Sequence, residues 1–145
     1  MEAYRGRLRI EPADDVGYFT EEDEILRDND SGAGGYWLGC QAGLSVIGIE
    51  ANGNIKGCLS MQSDEFVEGN IREESLREIW FKEGNFAYTR DFTRENLGGF
   101  CHDCAYAEFC RGGCSWNGFI HGKQDGKFSN KYCLYQARQL AERTC

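Results

Sequence analysis

Polar and apolar positions divide the chain into a sparse N-terminal part and a patterned remainder. Arg7-Leu8-Arg9-Ile10 alternates with the period of a half-buried strand. Residues 21–28 place acids in a first turn behind Thr20 as N-cap, which predicts a short helix. Residues 44–60 (LSVIGIEANGNIKGCLS) put two β-rich runs on either side of Asn52-Gly53. Both turn residues tolerate positive φ, so the segment predicts a β-hairpin, with Cys40 just ahead of its first strand and Cys58 within its second. Over 73–82, Leu76, Ile79 and Trp80 share one helical face. A second short helix is expected over 86–94. A C-terminal helix is expected over 129–143, with Leu134, Ala137, Leu140 and Ala141 inward and Cys133 in its first turn. These elements make an α+β fold. No repeat is present, and no run nears the roughly 18 apolar residues of a membrane-spanning helix.

At 145 residues the chain is long enough to bury one core of its own. Its 24 Asp+Glu against 16 Lys+Arg give a net charge of -8. The imbalance lies in residues 11–30, which hold nine acids and one Arg, so the rest is neutral. A solvated linker is the plain reading of that run, and a docking surface for a basic partner the sharper one. Ser31-Gly32-Ala33-Gly34-Gly35 reads as a flexible joint without GxGxxG spacing. The expected division is 1–35, an N-terminal strand and acidic linker, and 36–145, a cysteine-bearing domain. With no basic stripe, neither nucleic acid nor an anionic membrane surface is an expected partner. The N-terminus lacks the apolar stretch of a secretory signal, which makes the reducing cytoplasm the expected location.

Against that background the eight cysteines, at 40, 58, 101, 104, 110, 114, 133 and 145, change the picture. In a reducing compartment clustered cysteines are metal ligands or redox groups more often than disulfides. Their order is Cys40-x12-Gly53-x4-Cys58, a gap, Cys101-x2-Cys104-x5-Cys110-x3-Cys114, then x18 and Cys133. A CxxC turn directs two sulfurs at one centre, and its amides can donate to the thiolates. Gly57, Gly112 and Gly113 let backbone approach the sulfurs. Neighbouring cysteines need not share a centre, and Cys114 is a candidate to join the distant Cys40 and Cys58. A disulfide framework would need an oxidising compartment. Zinc, holding a structural module without redox role, is the alternative, although only Cys101/Cys104 has its usual paired form. Iron–sulfur clusters tolerate the wider spacing and use more of the cysteines. No Ser–His–Asp or Cys–His nucleophile arrangement stands out, and the carboxylates at 21–24 are too solvated for acid–base work.

The pattern Cx(9–15)Gx4C, gap, Cx2Cx5Cx3C, gap, C resembles the SPASM domain, the C-terminal extension of many radical SAM enzymes that modify peptides and proteins. Gly69-Asn70-Ile71 and Ser75-Leu76-Arg77-Glu78-Ile79-Trp80 resemble that family's segment between the two cysteine groups. The resemblance spans roughly residues 36–138. It implies a small domain wrapped around two auxiliary [4Fe–4S] clusters. Cys40, Cys58 and Cys114 would hold the first, and Cys101, Cys104, Cys110 and Cys133 the second. It also implies electron transfer and substrate docking, with a radical SAM core, a peptide or protein substrate and a redox donor or acceptor as partners. The CxxxCxxC loop of the radical SAM core is missing from this sequence. The chain thus has no SAM site of its own and reads as the accessory part of an oxidoreductase or maturase. The first cluster lacks a fourth cysteine nearby, which leaves an open iron, an oxygen ligand or Cys145.

Three polar residues near the cysteines have two readings each. His102 reads as a turn residue facing solvent, or as a tuner of a cluster. His121 reads as a partly buried polar group. Arg111 either offsets cluster charge or is simply exposed. Trp80, Phe81, Phe86, Tyr88, Phe100, Tyr106, Phe109 and Trp116 are expected to shield the clusters.

Overall fold

Asn52-Gly53 does turn the chain in the computed structural model, which describes residues 27, 35–122 and 126–143. Strand β1 (Gly48–Ile49) pairs antiparallel with β2 (Asn54–Lys56), setting Gly48 opposite Lys56 and Ile49 opposite Ile55. The loop holds four residues rather than two. Only Gly53 takes positive φ, while the Asn52 side chain accepts from the Asn54 amide at 3.0 Å. That local bond lets Asn52 stay right-handed, which the two-residue turn would forbid. A third strand, β3 (Gly69–Asn70), adds to β2 antiparallel. The Asn70 amide donates to Asn54 Oδ1 at 3.0 Å and to the Asn52 carbonyl at 3.3 Å, fastening the added strand to the turn. Cys58 lies beyond the end of β2, not within it.

Helix α1 (Leu76–Phe81) starts at Ser75, whose hydroxyl accepts from the Glu78 amide while the Glu78 carboxylate accepts from the Ser75 amide. That reciprocal pair satisfies two donors with no intrahelical partner. Ile79 is fully buried and Trp80 half-buried, whereas Leu76 stays exposed along an open groove with Ile47, Arg77 and Phe81. The helix expected over 86–94 is a single turn, α2 (Ala87–Arg90), followed by a 3-10 turn at Arg94–Asn96. Three helices then carry the cysteine block: α3 (Gly99–Asp103), α4 (Ala107–Cys110) and α5 (Ser115–Gly122). Helix α6 (Leu134–Glu142) begins after Cys133, which caps it instead of lying in its first turn. None of the α6 residues is buried, and Leu134, Ala137, Leu140 and Ala141 are exposed, against expectation. The amphipathic pattern is present, but no part of the described chain covers it.

The elements are α+β, and among the described residues three small apolar clusters stand in place of one large core. Ala42, Met61 and Phe66 form one; Ile55, Ile79 and Phe86 a second; Leu97, Cys101 and Ala107 a third. Tyr88 packs on the first two and joins them. The strand expected at 7–10, most of the helix at 21–28, the joint up to Gly34 and Cys145 lie outside the described residues. Arg27 alone of the acidic stretch is described, and it is helical.

Candidate metal centre

Two of the apolar clusters are faced with cysteine. Cys40 and Cys58 pack on the Ala42–Met61–Phe66 cluster, with Tyr88, Trp116 and Phe119 beside them. Phe66 is the hub, with ring centroids 5.2 Å from Tyr88, 6.0 Å from Trp116 and 4.8 Å from Phe119. Cys101 belongs to the Leu97–Ala107 cluster, and Cys104 packs against it with Phe92 and Phe128. No disulfide joins the seven described cysteines.

Local folding aims backbone donors at several of these sulfurs. The Ser60 amide donates to Cys58 Sγ at 3.5 Å. The Tyr106 amide donates to Cys104 Sγ at 3.4 Å, the hydrogen bond a CxxC turn supplies. The Asn130 amide reaches Cys101 Sγ at 3.4 Å from 29 residues away. It can do so because the Gly98 amide donates to the Phe128 carbonyl and the Phe128 amide to the Asn96 carbonyl, each at 2.8 Å. The same return of the chain leads to Cys133. Tyr135 has its phenol pushed up by burial and then by the negative charge of Cys104, with Cys133 contributing as well. Tyr106 packs on the same ring at 5.0 Å.

Between Cys110 and Cys114 the backbone turns through three successive positive φ values, 53° at Arg111, 75° at Gly112 and 83° at Gly113. For the two glycines this costs little, whereas Arg111 adopts a conformation that L residues rarely take. The reversal ends α4 at Cys110 and starts α5 just after Cys114, so the two cysteines leave the turn on different elements. A Cβ at Gly112 would lie 2.7 Å from a Leu97 methyl, so packing as well as φ favours glycine. Cys101 and Cys114 are buried; Cys40, Cys58, Cys104, Cys110 and Cys133 are partly exposed.

Arg111 is half-buried. Its side chain crosses Gly39, next to Cys40, and its guanidinium lies 5.4 Å from the Phe92 ring centre. A narrow cleft of about 10 Å³ runs there between the two cysteine-faced clusters, lined by Cys40, Tyr88, Thr89, Phe92, Arg111, Ser115 and Phe128. The arginine therefore sits where it can face a negative centre rather than open solvent. His102 is half-exposed and engaged by carboxylates, with Nδ1 2.7 Å from Asp103 Oδ1 and Nε2 3.8 Å from Glu95. His121 is half-buried against Tyr132, with ring centres 4.8 Å apart. Two rings expected to shield the centres do not, since Phe81 and Phe109 are largely exposed. Phe66, which packs beside Cys40 and Cys58, carries no local signal because its partners are far away in sequence.

Thiols in two apolar nests, met by backbone donors, fit the chemistry of iron–sulfur ligation, which needs low dielectric and hydrogen bonds to sulfur. Among the described residues, no three Cys, His, Asp or Glu side chains converge tightly enough to hold a single metal ion.

Residues 40–105 match the family model of SPASM, an iron–sulfur cluster-binding domain. The family resemblance of the cysteine spacing is thereby borne out over a stretch holding Cys40, Cys58, Cys101 and Cys104; Cys110, Cys114 and Cys133 follow it. Over 84 residues the chain is 29% identical to the mycofactocin maturase MftC of Mycobacterium tuberculosis and 30% identical to that of Mycolicibacterium smegmatis. These alignments cover 57% of this chain and 21% of each relative, so the chain spans about a fifth of the proteins it matches. No solved structure matches it. Among the described residues, no helix is long and apolar enough to cross a membrane.

Proposed function

We propose that this domain holds two [4Fe–4S] clusters and serves a radical SAM maturase as its electron-transfer and substrate-docking module. The observation that carries this reading is the partition of free cysteines between two separate apolar nests within a matched iron–sulfur domain. Cys40, Cys58 and Cys114 are the ligands of the first centre; Cys101, Cys104, Cys110 and Cys133 are those of the second. The backbone reversal at 111–113 supports the division of Cys110 and Cys114 between them. Bound iron–sulfur clusters supply one-electron oxidation and reduction. The chain's residues set the conditions. Amides of Ser60, Tyr106 and Asn130 offset thiolate charge, rings of Phe66, Trp116 and Phe128 exclude water, and Arg111 lies between the nests as a counter-charge.

These residues hold no CxxxCxxC loop, so SAM and the radical step are assigned to a radical SAM core, as a domain or as a separate enzyme, with a peptide or protein as substrate. The relatives' name as maturases agrees with that assignment. The cytoplasm, which keeps thiols reduced, suits the ligands. Anaerobic mixing with a radical SAM maturase lacking this domain tests the role. Turnover restored by the loaded domain supports it; turnover equal with and without it refutes it.

A further inference from the structure

The Tyr88 hydroxyl is buried; its oxygen lies by the Gly57 backbone, but its proton has no acceptor among the described residues. It is not free to seek one. Helix α2, which carries it, is clamped from both sides. Thr89 Oγ1 donates to the Ala42 carbonyl at 2.6 Å. Arg90 Nε donates to the Gly43 carbonyl at 2.9 Å, and its Nη1 to the Trp80 carbonyl at 2.6 Å. The helix is entered through Phe86, fully buried with φ 58°, a conformation that persists only when its surroundings hold it. These contacts fix the direction of the phenol.

The phenol packs beside the first cysteine pair. The ring packs edge-on to Phe66 on the same apolar cluster as Cys40 and Cys58. Its oxygen rests against Gly57, the residue before Cys58, so closely that a Cβ there would overlap it. Glycine at 57 is thus what admits the hydroxyl beside the ligand. A buried donor with no acceptor is rare in folded proteins, and an ion or cluster at the site is one of the standard reasons for it.

We propose that the Tyr88 hydroxyl donates a hydrogen bond to a sulfur of the centre held by Cys40 and Cys58 and raises the reduction potential of that centre alone. The inference rests on the two-cluster reading given above. Its physical basis is charge: reduction adds an electron whose density falls partly on sulfur, and a donor stabilises that state more than the oxidised one. Tyr88 packs on the Cys40/Cys58 cluster and not on the Cys101/Cys104 one, so the second potential should not depend on it.

The test is Tyr88→Phe in the full chain, loaded anaerobically, with both potentials followed by electron paramagnetic resonance. The signal lost in Cys58→Ala identifies the first centre. The proposal expects iron and sulfide content equal to wild type, a lower potential for the first centre and an unmoved second one. An unshifted first potential overturns it, as does a shift confined to the second centre. Loss of iron in Tyr88→Phe also overturns it, since the residue would then be structural. Wild-type protein without a centre at Cys40 and Cys58 overturns the two-cluster reading itself, before the variant is compared.

Discussion

Lys56 is 1% exposed, and an ammonium so placed needs a counter-charge. Glu50 provides it at 2.8 Å across the hairpin turn. The hydrogen bond from Lys56 holds the Glu50 carboxyl below its ordinary value of 4.5. A carboxyl depressed by folding contributes stability above its unfolded pKa and loses it as pH falls through the folded one. Glu50→Gln should therefore lower the melting temperature at pH 7, and the gap to wild type should close as pH falls below 4.5. A gap undiminished in acid would contradict the pairing. At the ligands, replacing Cys101 and Cys110 by Ala should remove one set of cluster signals and leave the other. Loss of neither would refute the ligand sets. The cysteine pattern was legible because its order and spacing lie in the sequence itself, and the family model matches it over 40–105. Phe66 was not legible as a neighbour of Cys40 and Cys58, and Tyr88 was expected at the clusters without being tied to that pair, because these contacts join segments remote in sequence.

At the level of elements, short stretches are held by specific caps and side-chain ties more than by length. The Ser75–Glu78 capping box is one. Ser75→Ala should cost about 1 kcal/mol, read as a shift in the denaturation midpoint. Ile79, fully buried where α1 meets β2, should cost about 3 kcal/mol as Ile79→Ala. Equal costs for the two would mean that burial matters less here than the fold suggests. The hairpin and α1 could be read from Asn52-Gly53 and from the spacing of Leu76, Ile79 and Trp80. Strand β3, with two residues and no alternation, could not, because it exists only by pairing with β2. Helix α6 was foreseen, but not its exposed apolar face. Periodicity reports that a face is apolar, not whether this chain supplies the cover.

Among the described residues of the molecule, three small clusters stand in place of a single large core, and two of them are faced by cysteines. Ligation and folding are coupled in domains of this kind. Complete iron removal should therefore abolish cooperative unfolding followed by circular dichroism; an unchanged transition would contradict that coupling. Charge should change too. The chain carries -8 without a cluster, and each four-thiolate cluster adds about two negative charges when oxidised, so the loaded domain should focus at lower pH than the bare chain. The central claim is that the cysteines hold iron and sulfide in two centres, and metal analysis of anaerobically purified protein tests it most directly. Two [4Fe–4S] clusters predict a brown protein with about eight iron and about eight sulfide per chain. Colourless protein with near-stoichiometric zinc and no sulfide would contradict it.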